Sequence, residues 1–476
     1  MMSRPESATG RTTNSIWWAS AILVLLGAVA VYGFVASSGP AVLASTVCAV
    51  ILMFLVPRNA LPAAALWLLV LLPVGYMYIP KVLGQYFAPS VLVIGIWMLR
   101  LAFAHRMIPL LRMPLRGWLI SGPFLFLFFA SALGSKLLPQ SLGWGVVFTV
   151  CVIAPSVLGQ ICLDDVWPTV RRTFAGIGLF LGVLAASDFV FHFNPWTQFY
   201  RYEFLVRAGV FSTFRAFTSL GHPLVTSLVA SVALVICVFP TGAAKRWFYW
   251  LGAIGATTAL ILSVSRSGVF AVGLAVIIGV LSGLVRSRQR SGDMQGRLGV
   301  VLITTAISAA VAWSPLLRRR NESAESVGSA NYRSASVDKA MVLIGERPVL
   351  GFGPGTSPWV FGDRFRGPLE NSALQLIVSL GIPAFLMLTL GICIIIAVAM
   401  RRTRAGAAAG IVAFSVSVVG CNAIDSGPAI LGFITPLIVC AVMPQGGRPE
   451  QIASWPGCGD RTEDQRNTEG IPSSAA

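Results

Sequence analysis

The residues best suited to chemistry lie in one segment, Pro315 to Gly381, the longest polar interruption in an otherwise apolar chain. The segment carries a glycine-rich stretch from Gly351 to Gly355, and an apolar helix is predicted to begin at its Glu370-Asn371 pair. Guanidinium groups hold phosphate or pyrophosphate bidentately while they stay charged. The segment therefore predicts a site for an anionic ligand, and its arginines are Arg318, Arg319, Arg320, Arg333, Arg347, Arg364 and Arg366.

Glu370 is the carboxylate that this sequence places at a predicted membrane boundary beside these cations. Such a group can take a proton from an attacking hydroxyl as a general base. It can equally stabilise the N-terminus of the following helix by its charge alone. The glycines of the turn, Gly353 and Gly355 among them, either present backbone N–H groups to the same anion or only form a tight turn.

Two further polar features interrupt the apolar runs. The loop from Asn194 to Pro223 is rich in aromatic residues, which could stack on sugar rings, and it contains Arg201, Arg207, Arg215 and His222. The turn from Ser263 to Gly268 places Arg266 between two apolar stretches. An arginine that faced lipid there would be costly, so Arg266 is expected to face a polar cavity or to extend towards the membrane surface.

The composition indicates a membrane protein. Of the 476 residues 56% are hydrophobic and 11% charged, whereas a soluble domain carries about a quarter charged residues. The 47 glycines and 28 prolines fit kinked membrane helices. The net charge of +17 is explained by membrane topology and anionic headgroups, so no nucleic-acid partner is expected.

Neither a metal site nor a cofactor is predicted. The eight cysteines show no CxxC spacing and no pairing pattern, and the three histidines are scattered. No nucleotide-binding loop and no paired aspartates suited to metal binding stand in any candidate site, which fits a donor that is already activated.

Apolar runs predict an all-α polytopic membrane protein. About 20 apolar residues cross a bilayer, and on that criterion the chain has about 12–14 transmembrane helices, one of them continuous over 371–399. The predicted parts are a cytoplasmic tail (1–15), an N-terminal transmembrane bundle (16–191), a loop (192–222), central helices (223–314), a large loop (315–370), C-terminal helices (371–443) and a disordered cytoplasmic tail (444–476).

Loop charges predict the sidedness of the chain. Arginine and lysine fill alternate loops, with the cluster Arg286, Arg288 and Arg290 as an example, whereas the short loops between them hold little beyond Lys81, Lys136 and Arg266. Cytoplasmic loops carry the excess of positive charge. The N-terminus is therefore predicted to be cytoplasmic and both long loops extracytoplasmic.

Three stretches resemble the O-antigen polymerase/ligase family of bacterial membrane glycosyltransferases. They are RAFTSLGHP (Arg215 to Pro223), SVSRSG (Ser263 to Gly268) and RPVLGFGPG…ENSALQLIVSLG (Arg347 to Gly381). The resemblance covers roughly residues 190–400 and implies the C-type glycosyltransferase fold, all-helical with large outer loops. It also implies a polyprenyl-pyrophosphate-linked glycan donor and a glycan or lipid acceptor. The implied location is the bacterial inner membrane, which the chain crosses several times, with membrane lipids and other polysaccharide assembly proteins as partners.

The candidate residues follow from both arguments. Glu370, Arg266 and Arg215 are the catalytic candidates, and the substrate-binding candidates are Arg201, Arg207, His222, Arg333, Arg347, Gly353, Gly355 and Asn371. The ligase branch of the family carries a histidine where Glu370 stands, although Asn371 and Gly381 keep its spacing. Thr218 also replaces a glycine that usually follows the loop arginine.

These departures favour a polymerase of polysaccharide repeat units, with a ligase as the alternative in the same fold. A flippase or exporter is the third possibility. A transporter should show paired halves with broken helices or ionisable residues in the middle of spans. The chain shows no internal repeat, and Arg100, Asp188 and Asp425 lie near the predicted span ends.

Overall fold

The structure is a computed structural model. It describes residues 56–72, 88–104, 115–162, 165–199, 214–239, 246–287, 324–402 and 404–444, together with the single residues 54, 315 and 322. The predicted tail 1–15 and all of the tail 444–476 except its first residue lie outside the described residues. The same holds for the predicted spans near 16–35 and 298–314 and for nearly all of the one near 40–56.

Every regular element among the described residues is helical, which confirms the predicted all-α fold class. The α-helices are α1 (Leu61–Leu71), α2 (Pro89–Ala104), α3 (Leu115–Leu133), α4 (Leu138–Leu158, with a π-turn at Thr149–Ile153), α5 (Trp167–Phe191), α6 (Pro223–Val238), α7 (Arg246–Ser263), α8 (Arg266–Ser287), α9 (Ala324–Glu346), α10 (Ser357–Phe365), α11 (Ser372–Leu380), α12 (Ile382–Arg401), α13 (Ala405–Val419), α14 (Ala423–Ser426) and α15 (Thr435–Val442).

Three helices of the described part are long and apolar enough to cross a membrane, namely α4, α5 and α12. Shorter apolar helices of 10–17 residues accompany them, including α6 and stretches of α7 and α8. A helix of about 20 residues spans the hydrocarbon core. The chain is thus an all-α membrane protein.

The core of the bundle is centred on α6, in which every residue except Leu224 is buried. It packs against α5, α7, α8 and α13. Helices α5 and α7 cross closely because glycines face each other: a Cβ on Gly178 would lie 2.6 Å from the Gly252 carbonyl oxygen, and Gly182 abuts Gly255. Small residues at such a crossing let two membrane helices approach by van der Waals contact.

The predicted continuous helix over 371–399 is wrong, because the chain breaks at Gly381 into α11 and α12. Gly381 adopts φ +82°, a conformation that glycine reaches without a steric penalty. The next amide, at Ile382, donates to the Pro348 carbonyl at 2.8 Å instead of continuing the helix. A Cβ at Gly381 would collide with the Val349 carbonyl.

The segment predicted as a long loop, 315–370, contains two helices, α9 and α10. Together with α11 they form a small apolar cluster of their own, separate from the main core, in which Ala340, Leu343, Phe361, Leu369 and Val378 are buried. This cluster attaches α9 to α11 and so places the polar residues of α9 beside Glu370.

Candidate active site

One helix, α9, carries contacts to two of the predicted site residues. The hydroxyl of Ser326 accepts a hydrogen bond from Arg266 Nη2 at 2.7 Å. Two turns further on, Arg333 Nε donates to Glu370 Oε2 at 3.0 Å. Residues seven apart share one face of a helix, and at a rise of about 1.5 Å per residue they are separated by about 10 Å along its axis. Arg266, Arg333 and Glu370 therefore lie along one side of α9.

Glu370 is held in an ion pair that remains accessible to solvent. Its side chain is 31% exposed and that of Arg333 is 45% exposed. Among the described residues Arg333 is the one that donates to this carboxylate, through Oε2. The neighbouring Tyr332 donates its hydroxyl to the Pro368 carbonyl at 2.7 Å, and burial followed by the charge of Glu370 raises the pKa of Tyr332. The arrangement orients the carboxylate while it leaves Oε1 open to a ligand.

Asn371 and His222 each cap a helix. Asn371 Oδ1 accepts from the amides of Ala373 at 2.9 Å and Leu374 at 3.1 Å, as expected of an N-cap. His222 Nδ1 accepts from the Leu224 amide at 3.1 Å at the start of α6. Burial, aided by the nearby Arg215, lowers the pKa of His222 to about 3, so the imidazole is neutral at pH 7. These acceptor atoms are therefore occupied within the chain.

Arg215 is buried, in contrast to the exposed Arg266. Its Nε donates to the Ser263 carbonyl at 3.4 Å, at the end of α7 and three residues before Arg266. The amide of the adjacent Ala216 donates to the Leu262 carbonyl at 2.8 Å. Residues 215 and 216 thus make two hydrogen bonds that fix the turn carrying Arg266.

A chain of close contacts brings the separate sequence features together. Gly420, which follows α13, faces Ser267, since a Cβ there would lie 2.6 Å from the Ser267 Cβ. The carbonyl of the next residue, Cys421, accepts from the Ser372 hydroxyl at 2.6 Å. The Arg266 turn, the segment after α13 and the Glu370-Asn371 corner therefore meet at one end of the bundle.

In the glycine-rich turn the amides of Gly353 and Gly351 are hydrogen-bonded within the chain, as in the tight-turn alternative considered from the sequence. The Gly353 amide donates to the Ser379 carbonyl at 2.9 Å, and the Gly351 amide donates to the Arg347 carbonyl at 3.1 Å. Gly353 has φ +119° and lies against Ser135 and Ser141. Gly355 is in close contact with Trp144. The stretch is a tight turn that wraps the C-terminal end of α11.

The remaining candidates are less closely connected to Glu370. Arg201 and Arg207 lie outside the described residues. Arg347 is exposed, and its guanidinium lies 5.1 Å from the centroid of the Phe352 ring. In the described part of the chain no cluster of three or more His, Cys, Asp or Glu side chains could hold a metal ion.

Asp425 is a residue whose setting the sequence did not reveal. It lies on α14, is 2% exposed, and accepts from the hydroxyls of Ser357 at 2.6 Å and Ser379 at 2.5 Å. An aspartate in the apolar stretch 421–434 is a visible signal, because a buried charge is costly. Its serine partners are 46 and 68 residues distant in sequence, so no local pattern could have indicated them.

The fold and the site define a helical membrane protein with arginines and a carboxylate gathered at one end of its bundle. A family model described as O-antigen ligase matches residues 251–389, a range that contains Arg266, Arg333 and Glu370. The resemblance to the O-antigen polymerase/ligase family is thereby confirmed over this part of the chain. No curated protein matches the chain.

Proposed function

We propose that this protein polymerises lipid-pyrophosphate-linked oligosaccharide repeat units into a surface polysaccharide at the outer face of the bacterial inner membrane. The observation that supports it best is the Arg333–Glu370 ion pair at 3.0 Å, on the same face of α9 as the Arg266 contact. A carboxylate and two guanidinium groups are the groups that such a transfer needs.

The reaction joins two glycans and releases lipid pyrophosphate. A hydroxyl oxygen of the acceptor glycan forms a bond to the anomeric carbon of the donor, while the bond from that carbon to the pyrophosphate oxygen breaks. Glu370 takes the hydroxyl proton, through the Oε1 that Arg333 leaves free, as a general base. The electron pair of the broken bond remains on the pyrophosphate.

The arginines stabilise the departing group. Negative charge grows on the pyrophosphate oxygens as the bond breaks, so a fixed cation stabilises the transition state more than the ground state. Arg266 is exposed and held by a neutral hydroxyl, which leaves its charge available to an anionic ligand. Arg215 contributes indirectly, since it holds the Ser263 carbonyl of the same turn.

A ligase that transfers the finished glycan to a lipid acceptor is the second candidate. It is favoured by the description of the matching family model, O-antigen ligase. Glu370 in the position of the ligase histidine favours the polymerase. Both reactions use the same donor and leaving group and differ in the acceptor.

A deletion strain distinguishes these functions through its glycans. Loss of a polymerase leaves single repeat units on the final lipid acceptor and removes the ladder of longer chains. Loss of a ligase leaves long chains on the polyprenyl carrier and none on the acceptor. Repeat units that stay on the carrier at the cytoplasmic face would instead indicate a flippase and would contradict the proposal.

A further inference from the structure

A buried carboxyl group, that of Asp425, joins three elements of the candidate site. Its Oδ2 accepts from Ser357 Oγ at the start of α10 and from Ser379 Oγ near the end of α11. The amide of Ser357 donates in turn to Ser379 Oγ at 3.1 Å. The three residues thus form a closed ring of hydrogen bonds between α10, α11 and α14.

The same short segment holds the other end of α11. The Ser372 hydroxyl donates to the Cys421 carbonyl at 2.6 Å and accepts from the Ala423 amide at 3.2 Å. Residues 421–425 therefore contact α11 at both its first and its penultimate residue. Because Glu370 and Asn371 immediately precede α11, the position of this helix sets the position of the proposed base.

The segment 421–425 is itself fixed to the membrane bundle. Trp144 of α4 is fully buried, and its indole N–H donates to the Ile424 carbonyl at 3.2 Å. The Ser131 hydroxyl of α3 donates to the Ser379 carbonyl at 3.2 Å. The ring around Asp425 thus connects rigid membrane helices to α11.

The buried carboxyl group of Asp425 acts as a hydrogen-bond acceptor within the chain. Its other oxygen, Oδ1, is buried with no hydrogen-bond partner in the described part of the chain. Burial raises the pKa of Asp425, and hydrogen bonds from the Ser357 and Ser379 hydroxyls and from the Ser357 backbone oppose that shift. Both serine hydroxyls donate to Oδ2, so the ring requires a hydrogen-bond acceptor at this position.

We propose that Asp425 is a positioning residue that holds α11, and with it Glu370, in the geometry needed for glycan transfer. The proposal rests on the proposed function for its catalytic part. Displacement of a reacting group by about 1 Å costs on the order of a hundredfold in rate. Loss of the ring should thus lower kcat without a matching change in KM.

Hydrogen exchange in the purified full-length protein tests the structural part without any assay of activity. Asp425→Ala and the milder Ser379→Ala should both speed exchange in a peptide covering residues 370–382. Asp425→Asn should leave it slow, because the amide has the size of the carboxyl group and its oxygen can accept from both serine hydroxyls. Ser156→Ala, which removes a hydroxyl bonded to its own helix in α4, is the matched control and should leave that peptide unchanged.

Kinetics on the same variants test the catalytic part. We expect Asp425→Ala to lower kcat about a hundredfold, with Asp425→Asn retaining most of the rate.

Two results would overturn the proposal. One is hydrogen exchange that stays slow in both Asp425→Ala and Ser379→Ala, and the other is an Asp425→Asn variant that is as inactive as Asp425→Ala. A third result would divide the proposal: exchange rises in Asp425→Ala, that variant keeps full activity, and Glu370→Gln loses activity. Asp425 would then hold α11, but its role in positioning Glu370 for catalysis would be refuted. If Glu370→Gln also keeps full activity, the proposed function itself fails, whereas the exchange result still supports the structural role of Asp425.

Discussion

Arg333 Nε and Glu370 Oε2 lie 3.0 Å apart and join the middle of α9 to the corner that precedes α11. Both side chains are partly exposed, and ion pairs in such settings contribute at most about 1 kcal/mol to stability. The pair therefore matters more for the orientation of the carboxylate than for folding. Stability and activity should respond differently when either partner is changed.

Glu370→Gln tests the general base. The amide keeps the size and most of the hydrogen bonding but cannot accept the proton, so the transfer rate should fall about 100- to 10,000-fold, equivalent to about 3–5 kcal/mol. A residue that only complements the helix N-terminus would cost about 0.3–1 kcal/mol of stability, with activity nearly intact. The measurement is the rate of chain elongation in membranes.

Glu346→Gln is the matched control for that substitution. Glu346 is the last residue of α9, is exposed to a similar degree as Glu370, and likewise forms an ion pair with an arginine, Arg364. Its loss should leave elongation unchanged. Glu370→His adds a second comparison, because it recreates the pair of the ligase branch. Normal elongation by Glu370→Gln would remove Glu370 from the mechanism.

Exchange of the two charges separates orientation from catalysis. Arg333→Glu combined with Glu370→Arg restores an ion pair but moves the carboxylate onto α9. We expect the midpoint of thermal unfolding in detergent to stay near that of the unaltered protein, since the pair contributes at most about 1 kcal/mol, while elongation stays lost. Recovery of elongation by the double variant would show that only the pairing of the charges matters.

The sequence was sufficient for the fold class and for the motifs because both rest on local patterns. Long apolar runs predict membrane helices, and the α11 N-terminus is correctly placed at Asn371, whose Oδ1 caps it. The helix break was missed because Gly381 continues an apolar run. What breaks the helix is the distant turn around Pro348 and Val349, which is invisible to local periodicity.

The site was predictable in part for the same reason. Arg266 and Glu370 stand out as charges at the ends of apolar stretches. The partners Ser326 and Arg333 are 60 and 37 residues away from them, and only tertiary packing of α9 brings them close. For Gly353 the sequence left two alternatives open, because a glycine-rich turn has the same sequence whether its amides face a ligand or, as here, the Ser379 carbonyl.

Arg266→Ala should abolish the glycan product while the protein remains in the membrane. The residue is exposed and its contact on α9 is the neutral hydroxyl of Ser326, so its charge is expected to act on an anionic ligand. Arg266→Lys should restore activity only partly because the planar fork is lost. Ser326→Ala, which removes the contact but keeps the charge, is the comparison and should be milder. Full activity of Arg266→Ala would show that the guanidinium only extends to the membrane surface.

The sidedness predicted from loop charges is tested by reporter fusions. Fusions after Tyr200 and after Gly355 should report an extracytoplasmic location, and fusions after Arg290 and Arg402 a cytoplasmic one, because arginine-rich short loops stay inside. A cytoplasmic signal after Gly355 would place Glu370 and Arg333 on the wrong side for a lipid-linked donor at the outer face. The site would then need a different substrate.

Alanine substitutions at glycines test whether the turn around α11 holds the site. Gly353 and Gly381 both have positive φ, and a Cβ would meet Ser135 at the first and the Val349 carbonyl at the second. Overpacking costs about 1–3 kcal/mol, and a left-handed backbone adds about 1–2 kcal/mol for a residue with a side chain. Both variants should lower the unfolding midpoint in detergent and reduce elongation.

Gly345→Ala is the control for these two substitutions. Gly345 on α9 has open space where its Cβ would lie, so Gly345→Ala should raise stability by about 0.5–1 kcal/mol. If Gly353→Ala and Gly381→Ala were as stable and as active as Gly345→Ala, the turn would not determine the position of α11, and Glu370 would have to be held by its pair with Arg333 alone.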